Sequence, residues 1–291
     1  GQGIPMRALN LTRDGKRVFW AVDEHSTPAG FEEAFQKRLA STQQEENDAM
    51  PDFQVDARTK RTSADFLKRA KFSQLIVDVV QKVRGRISAI VRKRTKTYGN
   101  YLFSHWLAML IERWWWRRRA LRQQPVLDTL PEDLPFVLFP LHVEPEATMM
   151  VESQMCDNQL ALIDWTTKSI PAGWYVVVKE HPGATAPRPP GFWWRIRQYP
   201  NVIVAGTLEN AERYIARSRA VACISGTVGL QAAVLGLPVV TFHPRFIGLH
   251  LPHVMHADSY NSTRSAIKLI RSDGLPSLAE RQRCVRALLA A

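Results

Sequence analysis

Apolar positions along the chain change their rhythm once, at Phe136. Before it come two short β-like runs, Met6 to Leu11 and Arg17 to Val22, with a turn at Asp14-Gly15. A short helix is predicted over Phe31 to Leu39, followed by a polar, Gln/Glu/Asp-rich segment that reads as loop. Phe66, Leu67, Ala70, Ile76, Val79, Val80 and Val83 then recur near helical spacing, predicting a helix across 63–96 that Gly85 weakens. Tyr101 to Leu121 is a further helix, apolar at first and then Trp114-Trp115-Trp116-Arg117-Arg118-Arg119. Pro125 to Pro135, rich in proline and acid, reads as a linker.

From Phe136 onward buried-strand runs alternate with helices. The pattern predicts a strand at Phe136–Phe139, a helix over 151–170, a strand over 174–179 and a proline-rich loop over 182–190. A helix over 191–199, a strand at 202–205, a helix over 208–217 and a strand over 220–224 follow. Then come a helix over 228–235, a strand over 238–242 and two helices between Thr263 and Ala291. Alternation of this kind predicts an α/β fold, a doubly wound parallel sheet. The expected division is residues 126–291 as one Rossmann-like nucleotide-binding domain. Residues 1–125 are expected to be the remnant of an N-terminal domain plus a basic helical region. Gly3-Ile4-Pro5 reads like the end of a helix turning into a strand, so the sequence is expected to begin inside a domain.

Two strand-to-turn transitions carry the candidate chemistry. Tyr175 to Lys179 runs into Glu180-His181-Pro182-Gly183, and Ala222-Cys223-Ile224 runs into Ser225-Gly226-Thr227-Val228-Gly229 at the start of a small-residue helix. Ligands of open parallel sheets bind beyond the carboxyl ends of strands, so both turns are expected at one rim. A helix N-terminus fed by Ser225-Gly226-Thr227 offers N–H groups and a positive dipole end to a phosphate. The plainer readings are an ordinary strand-ending turn around His181, and N-capping of the helix by Ser225 or Thr227. No GxxxxGK[ST] and no GxGxxG occurs, so this is neither an ordinary P-loop nor a dinucleotide loop. Past the Phe136 strand, His142, Glu144 and Glu146 place one imidazole and two carboxylates at the same rim. They suit a base, an orienting group or a hydroxyl-holding role, or simply the acid placement of a following first turn.

Composition narrows the classes. The 291 residues carry three scattered cysteines, Cys156, Cys223 and Cys284, with no CxxC pair or Cys/His cluster, which points to reduced thiols rather than zinc or disulfides. No apolar run reaches the ~18–20 residues of a membrane span, and no signal-peptide pattern opens the sequence. The net charge of +12 is concentrated in one block. Between Arg58 and Arg122, 18 Lys/Arg stand against Asp65, Asp78 and Glu112, a local balance of +15. A nucleic-acid surface, an anionic membrane surface and a solvated face on packed helices are all open readings of that block. The absence of any recognition module counts against nucleic acid.

Phe139–Glu146, Lys179–Pro182 and Ser225–Phe242 together resemble bacterial capsule and surface-polysaccharide biosynthesis proteins, GT-B-type glycosyltransferases related to the capsule Kdo transferases. The His-Pro motif followed by a Ser/Thr motif is also similar to GT-B sialyltransferases and, more distantly, to teichoic-acid glycerophosphotransferases. The resemblance covers roughly residues 134–245 and implies a GT-B donor domain using a CMP-activated sugar. It implies donor contacts for Lys179, His181, Pro182, Ser225, Gly226, Thr227, Gly229 and Gln231, catalytic roles for Glu144, Glu146 and His181, and substrate contact for His142. Gln231 stands where many such enzymes have a Glu on the ribose hydroxyls, and His243 where a Gly often follows the strand. The acceptor domain that usually supplies the base is largely missing from the sequence. With no DxD motif, neither a metal nor a cofactor is expected beyond the nucleotide-sugar substrate. The implied partners are a lipid-linked or surface glycan and an anionic membrane surface, and the implied location is cytoplasmic, peripheral on the inner face of the membrane. A UDP-sugar transferase, a UDP-N-acetylglucosamine 2-epimerase-like enzyme and a truncated, non-catalytic paralogue are the alternatives.

Overall fold

The structure, a computed structural model, describes residues 8–11, 18–21, 30–41, 68–91, 103–123, 130, 133–144, 156, 158–181, 188–206 and 211–290. Strands β1 (Ala8–Leu11) and β2 (Val18–Ala21) pair antiparallel with Leu9 opposite Trp20, as the two runs predict. Helix α1 spans Phe31–Ser41, α2 Phe72–Val91 and α3 Phe103–Gln123. Gly85 sits inside α2 without ending it, since a single glycine costs a helix only about 1 kcal/mol.

The alternation after Phe136 is present throughout. It runs β3 (Phe136–Pro140), α4 (Gln159–Ser169), β4 (Tyr175–Lys179), α5 (Phe192–Arg197) and β5 (Val202–Ala205). It continues with α6 (Ala211–Arg217), β6 (Ala220–Cys223), α7 (Thr227–Val234) and β7 (Val239–Thr241). A 3-10 turn at Ile247–His250 and a short strand β8 (Val254–His256) precede α8 (Tyr260–Arg271) and α9 (Leu278–Ala290). The turn and β8 are additions to the sequence reading: three residues with only Val254 buried leave no strand pattern to see. Helix α4 starts at Gln159, where the Asn158 side chain accepts the Ala161 N–H at 3.2 Å and caps it, while residues 151–155 of the expected span lie outside the described residues.

Six parallel strands stand in the order β5-β4-β3-β6-β7-β8. The fold is therefore α/β with a Rossmann-like sheet, whose strand order reverses between β3 and β6. Alternate residues of each strand feed opposite cores. Val137, Phe139, Val176 and Val178 pack under α4, α5 and α8, while Phe136, Leu138, Val177 and Val221 pack under α6, α7 and α9. Side chains of this size stabilise by about 1.5–3 kcal/mol each when fully buried, so the two layers hold the strand ends rigidly.

Helix α1 belongs to this second layer. Phe35 is buried among its residues, Phe31 and Leu39 pack beside it, and both Phe31 and Phe35 meet the His250 ring edge-on at 5.0 and 5.7 Å. Helices α2 and α3 pack on each other, with Phe72 edge-on to Trp114 at 5.6 Å. Among the described residues no helix is long and apolar enough to cross a membrane. Cys156, Cys223 and Cys284 are buried and not joined in disulfides.

Candidate functional site

Reversal of strand order leaves a crevice between the carboxyl ends of β3 and β6, and the sequence motifs meet there. The ladder pairs Leu138 with Val221, so continuing its register brings His142 level with Ser225. The contact is direct: His142 Nε2 lies 3.0 Å from the Ser225 carbonyl, to which it donates when it carries the proton, and 3.3 Å from the Ser225 N–H, from which it accepts when it does not. His142, expected at the substrate, bridges the two strand ends in the structure. Its ring is buried and locks the two strand ends together.

Gly226 is what lets the ring come so close. A Cβ there would stand 3.2 Å from His142 Cε1, and the backbone holds φ +101°, ψ 175°, a region that side chains avoid. Gly226 is also the N-cap of α7, and as a glycine it makes no side-chain cap bond of its own. The N-cap position thus falls on Gly226, between Ser225 and Thr227. Backbone N–H groups at a helix start of this kind are ones that an anion can engage. Gly229, expected at the ligand, is buried in the structure. A side chain there would collide with the Cys223 sulfur and crowd Phe246 at 3.4 Å, so it is the close packing of α7 on β6 that excludes one. Thr227 and Gln231 are half-buried on α7.

Across the crevice, β4 ends in Lys179-Glu180-His181. Lys179 is buried and its Nζ donates to the Glu180 carbonyl at 3.2 Å. Glu180 is buried too, and its Oε1 accepts the His181 backbone N–H at 2.8 Å. His181 is exposed at the rim. Pro182 and Glu146 lie outside the described residues.

One residue organises this side, and the sequence reading does not single it out. Arg188 forks onto Glu180, with Nε 3.0 Å from Oε2 and Nη2 2.6 Å from Oε1. The same Nη2 donates to the His142 carbonyl at 2.7 Å. Its side chain is only 4% exposed and stacks over Phe192 at 5.3 Å. Nη1 stands 3.4 Å from Glu144 Oε1 but makes no hydrogen bond. Glu144 is held in turn by Gln159, whose amide nitrogen donates to Oε1 and whose oxygen accepts the His142 N–H at 2.8 Å. Glu144 therefore sits at the mouth, oriented by an amide and a guanidinium. Arg188 is a lone cation among prolines, Ala186-Pro187-Arg188-Pro189-Pro190, and that is the one signal the sequence offered.

The family model for capsule polysaccharide biosynthesis proteins matches residues 42–264. The chain belongs to that family. Among solved structures, Thermosulfurimonas dismutans KpsC, a beta Kdo 2,7 transferase, is 13% identical with a TM-score of 0.41, over 90% of this chain and 68% of that one. S. aureus MnaA, in a co-structure with UDP, is 14% identical with a TM-score of 0.38, over 52% of this chain and 39% of that one. The UDP-GlcNAc 2-epimerase of Methanocaldococcus jannaschii is 14% identical with a TM-score of 0.35, over 56% and 47%. The chain spans less than half the length of the MnaA and epimerase chains it matches. No curated protein sequence matches it.

Proposed function

We propose that this capsule biosynthesis chain carries the donor-binding side of a GT-B-type glycosyltransferase. It would move a Kdo- or sialic-acid-like sugar from a CMP-activated donor onto a bacterial capsule or surface glycan, on a lipid-linked acceptor at the inner face of the cytoplasmic membrane. The observation that carries this reading is the N-terminus of α7, which starts at a glycine N-cap beside the switch point. A nucleotide phosphate is the natural complement of such a helix end. His181 at the facing rim and Arg188 Nη1, which stands 3.4 Å from Glu144 and has no hydrogen-bond acceptor among the described residues, would supply further positive character to a leaving phosphate. Glu144, oriented by Gln159 and Arg188, suits the task of accepting the proton of an acceptor hydroxyl. Catalysis would then rest on positioning and on stabilising the leaving group, with no metal needed for either. The preference for a cytidine nucleotide rests on the similarity of the His-Pro and Ser/Thr motifs to enzymes that use CMP- or CDP-activated donors.

Calorimetric titration with CMP, UMP, GMP and ADP tests the donor class. CMP is expected to bind tightest. A preference for UMP instead selects a UDP-sugar transferase or a 2-epimerase-like enzyme. Nucleotide binding with no turnover on any glycan acceptor marks a truncated, non-catalytic paralogue. His181→Ala is expected to weaken CMP binding by about 1.5–3 kcal/mol, on the order of tenfold to a hundredfold, through loss of a hydrogen bond to a charged phosphate. Its melting temperature should stay unchanged, because the side chain is exposed. Unaltered affinity in that variant would remove His181 from the site.

A further inference from the structure

Away from the crevice, the helical pair α2–α3 presents exposed apolar residues among the described ones. On α2, Phe72, Ile76, Val80 and Ile87 are 57%, 50%, 45% and 55% exposed. At 100° per residue they fall within about 80° of arc, a single stripe along the helix. Phe72, at its start, touches Trp114 of α3. On α3 itself Ile111 and Trp115, one turn apart, are 49% and 47% exposed. An apolar stripe of this length left facing water is a cost that a partner must offset.

Charge identifies the partner's chemistry. The stripe lies inside the segment with a balance of +15, and guanidinium groups border its aromatic end. Arg118 sits over Trp114 at 5.2 Å, and Arg119 sits over Trp115 and Trp116 at 5.3 and 5.6 Å. Deeper in the pair, Arg117 is held below the ordinary guanidinium range, first by burial and then by Arg69 and Arg113, with Asp78 acting in the opposite sense. The cations are thus crowded beyond what the local acids neutralise. A protein segment covering the stripe would need an apolar centre and a strongly acidic rim. A bilayer of anionic phospholipid presents both at once, acyl chains for the stripe, phosphates for the cations, and a boundary zone for the indoles. Single-stranded nucleic acid matches the charge but not the stripe: bases stack on aromatic rings, whereas three of the four α2 residues are aliphatic and the indoles already carry Arg planes.

We infer that α2 and α3 form a membrane-seating surface that lays the Phe72–Ile87 stripe into an anionic phospholipid leaflet with the arginines at its headgroups. The inference stands apart from the donor assignment, since neither nucleotide nor glycan enters its test. The 291-residue chain is sedimented with phosphatidylcholine vesicles and with vesicles containing about a quarter phosphatidylglycerol. Partition into the anionic vesicles at ~0.1 M salt, falling at least tenfold at ~0.5 M and absent on pure phosphatidylcholine, is the expected result. The variant Phe72→Ser/Ile76→Ser/Val80→Ser keeps every charge and should lose at least tenfold in partition with an unchanged far-ultraviolet spectrum. Independently of any variant, lipids brominated in their acyl chains should quench tryptophan emission of the bound parent chain. Binding without quenching, or a triple variant that partitions like the parent, overturns the inserted stripe and leaves charge alone. Failure to bind anionic vesicles at low salt overturns the proposal outright, and retention on single-stranded RNA in that case assigns the block to nucleic acid.

Discussion

At the scale of single residues, Arg188 is the group on which the rim depends. It joins Glu180 after β4 to the His142 carbonyl after β3, one residue beyond the backbone bond from the Leu141 N–H to the Lys179 carbonyl, and so continues the link between the two strands into their loops. Because both partners are buried, removing the cation strands a carboxylate in a dry setting. Arg188→Ala should therefore lower stability by ~3–5 kcal/mol, measured by urea unfolding. Arg188→Met combined with Glu180→Leu should recover most of that loss, since an apolar pair of similar volume often replaces a buried ion pair without penalty. The same double variant is expected to remain defective in CMP binding, because the His181 turn has lost its anchor. Recovery of stability and binding together would show that Arg188 has no positioning role.

Among the elements, the crevice is built where α7 begins, and here the sequence was legible in part. Glycines between hydroxyls after a buried strand predicted a helix N-terminus at the rim, and β6 and α7 lie within a residue or so of their expected bounds. Which glycine does what was not legible. Gly226 is required by its positive φ and by the His142 ring, a residue more than eighty positions away in the chain, whereas Gly229 answers to the Cys223 sulfur and Phe246. Tertiary neighbours of that kind leave no local spacing. Arg188 was missed for the same reason, as its partners come from two other strand ends. Gly226→Ala should cost ~1–3 kcal/mol from backbone strain, with an added displacement of His142. In calorimetry it should lose CMP binding more than its fall in melting temperature accounts for. A variant with parental affinity would mean that the close approach of ring and loop does not shape the site.

At the scale of the whole molecule, the strand–helix rhythm after Phe136 was enough to give the parallel sheet, because strands buried on both faces read as continuous apolar runs. What that rhythm did not reveal is that α1, far upstream of the expected boundary at residue 126, closes the second core layer against α9. Its signal in the sequence is only Phe31, Phe35 and Leu39 on a short helix, and nothing in that spacing names the surface it covers. Phe35 is 3% exposed, so Phe35→Ala removes a fully buried ring and leaves a cavity between α1, α9 and the His250 turn. The expected cost is ~3–5 kcal/mol, seen as a lower urea midpoint with an unchanged slope if the native fold persists. A fragment of residues 126–291 alone should unfold at lower urea than the full chain, because Val285 and Leu288 of α9 lose their neighbour. Equal midpoints for fragment and full chain would return α1 to the status of an accessory, and would make residues 126–291 a self-sufficient folding unit.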